Sequence, residues 1–116
     1  MDPHSMKSFI DAAATNNLAL LSQKIAAGTP VDGKNPEGRT ALLIATHANA
    51  IEAAKLLIDA GADVNAMDNI QDSPFLYAGA EGKLEILKMT VQAGADLDST
   101  NRYGGTALVP AAHHGH

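Results

Sequence analysis

The sequence has no cysteine and no tryptophan, only two tyrosines and two phenylalanines, and no long apolar run. Without cysteine the chain can form neither a disulfide nor a thiolate metal site, so cysteine usage indicates no redox compartment. No stretch approaches the roughly 18 apolar residues of a membrane-spanning helix, so we expect no membrane partner. Positive charge is scarce: the formal net charge is -5, which argues against nucleic acid as a partner.

Much of the 46% hydrophobic fraction is alanine, and aromatic residues make up only 3% of the 116 residues. This length and composition predict a single domain over 1–116, with helices packed closely around small side chains. The opening "MDPHSMK" lacks the apolar segment of a secretory signal, and we interpret 1–5 as an expression leader. A cytoplasmic location is favoured, although a periplasmic one stays open if a signal has been removed.

One turn sequence occurs three times, at a fixed interval of 33 residues. "GADVNA" begins at Gly61, "GADLDS" begins at Gly94, and a diverged copy, "GTPVDG", begins at Gly28. Other positions recur in the same phase along the whole chain: Thr40, Ser73 and Thr106, and Ala12, Ala45, Ala78 and Ala111. A fixed period of this length is the signature of a solenoid of stacked units.

Each unit carries the signals of two short helices. A hydroxyl residue such as Thr40 can cap the first helix, and Pro74 suits the first helical position of the next unit. A residue that tolerates a left-handed backbone then ends that helix in each unit: Asn16, Asn49, Gly82 or Gly115. A second amphipathic helix follows and ends at the repeated glycine. We therefore predict an all-α solenoid of helix-turn-helix units joined by short loops or hairpins.

Two segments, "GRTALLIATHANAIEAAKLLIDAGADVNA" and "DSPFLYAGAEGKLEILKMTVQAGADLDS", resemble ankyrin repeats. That family's pattern is T-P-L-H-x-A-A, then G-H, then an apolar helix, then G-A-D-V-N. The resemblance covers nearly the whole chain from Met6. Where the family has histidine in T-P-L-H, this chain has Leu43, Leu76 and Val109. We expect the loss of the hydrogen bonds that this histidine makes between neighbouring loops.

The units are delimited by the period. We predict an N-terminal capping repeat over 6–33, a second repeat over 34–66, a third over 67–99 and a partial fourth over 100–116. In the first unit Lys7 occupies the position of the capping hydroxyl residue, and Asp11 and Lys24 stand where the second unit has Ile44 and Leu57. Polar residues that face outward are what a terminal repeat needs.

The C-terminal end has no such capping repeat, because the fourth unit stops where its second helix should begin. We interpret the chain as a truncated array, in which Ile86, Leu87 and Val91 lose a covering helix. A monomer is expected, with pairing of two copies through the uncapped end as the alternative. Pro110 lies inside the first helix of the partial unit and can distort it.

No pattern of catalytic or cofactor-binding residues is present. "GAEGK" is too short for a phosphate-binding loop, "DLDSTN" lacks the glycine and glutamate of a calcium loop, and no serine lies in a nucleophile elbow. His113, His114 and His116 cluster at the C-terminus, but without a structured shell they favour adventitious metal binding. We predict no catalytic residue, no cofactor and no physiological metal.

The resemblance implies a binding groove lined by loop tips and first helices. Transferred position by position, it assigns partner contacts to Pro36, Glu37, Arg39, His47, Asn69, Ile70, Asp72, Glu81, Arg102, Tyr103 and His113. Ile70 and Tyr103 stand out because an apolar side chain at a loop tip gains nothing from water. The solvated loop is the alternative for each residue.

The predicted function is that of a non-enzymatic protein-protein interaction module, an ankyrin-type scaffold for a partner protein. Two alternatives remain: an inhibitor or protective partner of an enzyme, which needs the same groove, and a structural fragment of a longer repeat protein. Pull-down from a lysate separates them, since a stoichiometric enzyme partner favours the first alternative.

Overall fold

The computed structural model describes residues 3–95, and within that range the chain is helical, with no strand. Three first helices are each followed by a second helix: α1 (Pro3–Ala14), α2 (Leu18–Ala26), α3 (Ala41–His47), α4 (Ile51–Asp59), α5 (Pro74–Glu81) and α6 (Leu84–Gln92). The second helices begin 33 residues apart. The predicted all-α architecture of repeated helical units is confirmed. No helix within 3–95 is both long and apolar enough to cross a bilayer.

The first helices begin where the hydroxyl residues predict. Thr40 Oγ1 accepts a hydrogen bond from Leu43 N at 3.2 Å, and Ser73 Oγ accepts one from Leu76 N at 3.1 Å. Pro74 occupies the first turn of α5, where a missing N–H removes no helical bond. Each cap satisfies one of the donors that a helix N-terminus leaves without an intrahelical partner.

The turns between paired helices use the predicted left-handed residues. Asn16 has a φ of 57° and Asn49 a φ of 54°. Asn16 has a second role: its Oδ1 accepts from Ala53 N at 2.9 Å, in the first turn of α4. The residue before α4, Ala50, has no side chain that could cap that helix. The first unit therefore caps a helix of the second, which couples the two units.

The helices form two layers. The first helices α1, α3 and α5 pack side by side in chain order, and α2, α4 and α6 do the same behind them. Ala45 and Ala78 are fully buried between the layers, where their small side chains let the helices approach closely. Leu43 and Leu76, which replace the family's histidine, are also buried. Apolar packing thus occupies the position of the lost polar side chain.

The ends of the described chain match the expectations in part. Lys7 and Asp11 are exposed and paired at 2.8 Å, whereas Lys24 is half-buried. The expectation that Ile86 would lie uncovered is wrong, because it is fully buried in the main core, while Val91 is 41% exposed. Helix α1 begins at Pro3 and so includes part of the segment 1–5. The unit boundaries and the origin of that segment stay predictions.

Candidate functional site

Two neighbouring loop tips, 35–39 and 68–72, are joined by hydrogen bonds from Asn69 to the backbone of the first tip. Asn69 N donates to Glu37 O at 3.0 Å, and Asn69 Nδ2 donates to Pro36 O at 3.1 Å. The first tip is narrow, because an antiparallel bridge joins Lys34 and Thr40 at its base. Of the predicted contact residues, Asn69 and Pro36 therefore set the spacing between the tips. These loop-to-loop bonds link the second and third units at the tips.

Each tip is folded around one acidic or amide side chain. Asn35 and Asp68 lie at equivalent positions, and the side-chain oxygen of each accepts from the backbone N–H groups two and four residues later, at 2.9 to 3.0 Å. Asp68 is only 7% exposed. The residues predicted from the sequence for this site do not include Asp68. An Asx residue recurring at this position with the 33-residue period is the signal that could have revealed it.

Arg39 joins the two tips by charge. Its Nε lies 3.3 Å from Asp68 Oδ2, and its Nη1 lies 3.7 Å from Glu37 Oε2. Because the Arg39 side chain is only 25% exposed and both of its neighbours are acidic, its charge stabilises the contact between the tips. Two of the predicted contacts, Glu37 and Arg39, are thus brought together by the fold.

A stacked pair of rings joins the first helices behind the tips. The rings of His47, at the end of α3, and Tyr77, in α5, lie with centroids 3.7 Å apart and planes inclined by 18°. His47 was a predicted contact, and Tyr77 was missed. Tyr77 lies three residues before Ala80, which is equivalent to His47, and residues spaced by three share a helix face. Helical spacing could therefore have identified Tyr77.

Two polar atoms near this pair are buried without a hydrogen-bond partner among the described residues: His47 Nε2 and Asp72 Oδ1. Burial lowers the pKa of His47, and the charge of Arg39 lowers it further. Burial also raises the pKa of Asp72, with a smaller contribution from the neighbouring carboxylate of Asp68. Both side chains are consequently held in surroundings that disfavour their charged forms.

Glu81 and Ile70 complete the surface from opposite sides. Glu81 is exposed at the end of α5, and its charge, after the larger effect of burial, raises the pKa of Tyr77. Ile70 is 42% exposed at its tip. We use the name inner face for the surface formed by Glu37, Arg39, His47, Asp68, Ile70, Asp72, Tyr77 and Glu81.

An open groove of about 480 Å³ lies between α1 and the first tip. Met6 and Ile10 from α1 and Pro36 from the first tip are its apolar lining residues, and Lys7 and Lys34 are its basic ones. Lys34 Nζ is already engaged, since it donates to Met67 O at 3.0 Å. The groove extends the surface available for contact along the first-helix layer.

Three predicted contacts, Arg102, Tyr103 and His113, lie outside the described residues, as does the cluster of C-terminal histidines. Within residues 3–95 no group of three or more histidine or carboxylate side chains is arranged to hold a metal ion. The inner face has an ion pair between loops, a stacked aromatic pair and an exposed apolar tip. Such an arrangement is suited to contact with another macromolecule.

Comparison with known proteins agrees with this architecture. Residues 9–101 match the family model of ankyrin repeats, in three copies. The chain is 31% identical over 108 residues to the ankyrin repeat protein YahD of Escherichia coli (strain K12), an alignment covering 93% of this chain and 54% of YahD. It is also similar to the crystal structure of an ankyrin repeat domain from Acinetobacter baumannii AYE, at 58% identity and a TM-score of 0.90.

That similarity covers 93% of this chain and 55% of the Acinetobacter chain. This chain therefore spans about half the length of either protein. The period of 33 residues, the paired helices in two layers and the family match over most of the sequence lead to one conclusion. The chain belongs to the ankyrin repeat family.

Proposed function

We propose that this chain is a non-enzymatic module that binds a partner protein across its inner face. Ankyrin repeats are generally protein-protein interaction modules, and the family is generally non-enzymatic. The finer statement, that binding uses the inner face of this chain, rests on the arrangement of its side chains.

The observation that carries the proposal is the stacking of His47 on Tyr77. The equivalent residues in the neighbouring units are Ala80 for His47 and Ile44 for Tyr77. The packing of one unit on the next therefore does not require either ring. Both rings lie on the first-helix layer beside the loop tips, at positions that vary between units. Residues that vary on a constant scaffold are where binding specificity is usually placed. Tyrosine is also among the residue types enriched at interface hot spots.

Site-specific photo-crosslinking tests this assignment and captures a partner whose identity is unknown at the start. A photoreactive amino acid replaces Ile70 in one protein and Lys88 in a second, and each is irradiated in a lysate of the host cells. Ile70 lies on the inner face, whereas Lys88 is exposed on the second helix α6. A protein band crosslinked from position 70 and absent from position 88 is the expected result.

The partner identified in this way then allows affinity measurements. Ile70→Ser should weaken binding by about 2 kcal/mol, or roughly thirtyfold, if Ile70 is a hot spot. Lys88→Ser is the matched control and should leave affinity unchanged. Crosslinks from position 88 with none from position 70 would place the partner on the second-helix layer and refute the proposal.

A further inference from the structure

The inner face has more acidic residues than basic ones. Four acidic residues lie there, Glu37, Asp68, Asp72 and Glu81, against a single basic residue, Arg39. Arg39 is already committed, because it pairs with Asp68 at 3.3 Å and with Glu37 at 3.7 Å. Among the described residues, no cationic side chain reaches salt-bridge distance of the remaining two carboxylates. The inner face therefore has negative charge that its own residues do not neutralise.

One of these two carboxylates is held in an unfavourable place. Asp72 is half-buried, and its Oδ1 is buried without a hydrogen-bond donor within residues 3–95. Burial and the charge of Asp68 raise its pKa, the charge of Arg39 opposes part of this rise, and Glu81 adds to it. Burying a carboxylate without a partner costs free energy unless a positive charge compensates it. An incoming cation would offset this cost, so binding would be linked to the desolvation of Asp72.

The aromatic pair adds a second attraction for a cation. Tyr77 is partly exposed. Burial raises the pKa of its hydroxyl, Glu81 and Asp72 add to this rise, and Arg39 opposes it. A tyrosine ring attracts a guanidinium or ammonium group through its quadrupole, and more strongly where water is partly excluded. Burial, and then the charge of Arg39, lower the pKa of its stacking partner His47, which favours the neutral ring. The positive charge that acts on both rings is that of Arg39, which is already paired with Asp68 and Glu37.

We propose that the partner presents a basic peptide segment, whose arginine or lysine side chain lies beside Asp72 and Glu81 and against Tyr77. This inference rests on the proposed function, since it names the chemistry of the segment that the inner face binds. The exposed side chain of Ile70, at the tip next to Asp72, offers apolar contact to the residues that flank the basic one. Arginine should be preferred to lysine, because a planar guanidinium can stack on tyrosine and pair with a carboxylate together.

Titration with short peptides, followed by amide chemical shifts of the isotope-labelled chain, provides the test. Three peptides share one neutral scaffold and differ in a central residue pair, which is arginine, glutamine or glutamate. Only the arginine peptide should shift resonances around Asp72, Tyr77 and Glu81, and its affinity should fall as salt concentration rises.

Two double variants with equal changes in net charge locate the effect. The inner variant is Asp72→Asn with Glu81→Gln, and the outer variant is Asp59→Asn with Glu85→Gln, on second helices. We expect the inner variant to weaken arginine-peptide binding by about tenfold or more. The outer variant should change it less than twofold, because only the long-range charge is altered. Equal weakening by both variants would overturn the proposal.

The melting temperature of the unbound protein shows whether Asp72 serves binding or supports the fold. If Asp72 is held at a cost, Asp72→Asn should raise the melting temperature of the free protein while it weakens peptide binding. A fall in both melting temperature and affinity would mean that Asp72 supports the fold, and the inference would then be wrong.

The outcomes also separate this inference from the proposed function. If the glutamine or glutamate peptide binds the inner face as well as the arginine peptide, the face is a binding site and only its preference for basic segments is refuted. If the crosslinking experiment places the partner on the second helices, and peptide shifts also fall there, both proposals fail.

Discussion

Thr40 and Ser73 occupy the same place in successive units and do the same task, since each hydroxyl caps the helix that follows. His47 and Ala80 also occupy equivalent places, but their side chains make different contacts. His47 stacks on a ring of the next unit and has a buried nitrogen without a partner among the described residues. Ala80 has no polar atom to satisfy.

The difference shows that positions which recur between units and positions which vary have different roles. Positions that recur are satisfied by their own unit or the next: caps accept from backbone N–H groups, and small residues fill the space between layers. Positions that differ contain the unsatisfied groups, which here gather on the inner face. The exposed second helices show a third arrangement, with local ion pairs such as Lys55 with Asp59 at 3.2 Å. Variation and unmet bonding capacity thus coincide on one surface.

The largest expected effect comes from comparing a buried leucine of the repeat framework with an exposed leucine of the surface. Leu57 is fully buried in the main core, and Leu57→Ala should cost about 2–5 kcal/mol, since a cavity adds to the lost burial. Leu84 is 47% exposed at the start of α6, and Leu84→Ala should stay within about 0.5 kcal/mol of the parent protein. Chemical denaturation of both variants measures the contrast. Similar losses for the two would contradict the separation of framework from surface.

Two glycines sharpen the comparison at the turns. Gly61 ends α4 with a φ of 95°, and an added Cβ would meet no atom within 4 Å, so Gly61→Ala should cost about 1 kcal/mol from backbone strain alone. Gly38, at the first tip, has a φ of 77°, and an added Cβ would collide with the side chain of Asn69. Gly38→Ala should therefore cost more, about 2 kcal/mol, because strain and a displaced loop bond combine.

Thermal unfolding ranks these glycine variants directly. The contrast is sharpest if Gly38→Ala also alters the amide resonance of Asn69, whereas Gly61→Ala leaves it in place. A larger loss at Gly61 than at Gly38 would mean that the link between the tips contributes little to stability.

The smallest expected effect is a pH dependence that comes from His47. Because its pKa is lowered in the folded protein, the unfolded chain binds more protons as the pH falls below the ordinary value of 6.5. Stability should therefore be lost as the pH falls through that value and kept above it. Discounted for solvent exposure of this half-buried ring, the effect is about 1 to 2 °C in Tm.

His47→Gln is the variant that isolates this effect. The loss of ring stacking lowers its Tm at every pH, whereas the other histidines titrate in both proteins. The difference in Tm between parent and variant should shrink on going from pH 7.5 to about 5.5. A difference that stays constant over this range would show that His47 is not held neutral by the fold.

The helical architecture could be predicted from the chain because its signals are local. The caps at Thr40 and Ser73, the left-handed turn at Asn49 and the glycine at Gly61 act within a few residues, and the period multiplies each signal. The prediction for Ile86 was wrong for a related reason. Burial depends on the neighbour in space, and α4 already packs against α6.

The candidate site was predictable only in outline. Family position identified His47 and Asp72, and the exposure of Ile70 agrees with the prediction made from its tip position. Neither Tyr77 nor Asp68 was identified, although the period and the helical spacing contained a signal for both. What could not be predicted at all was the relation between them: a ring stack across two helices depends on side-chain rotamers and on how closely the units approach.

The sequence by itself therefore determined the repeat, its helices and the places where they begin and end, because each follows from bonds and backbone angles within one unit. Only the tertiary structure decided that Arg39 joins two tips, that His47 lies on Tyr77, and that Asp72 is half-buried next to other carboxylates. The physical reason is that charge and burial depend on distances between units, and these distances are set by packing.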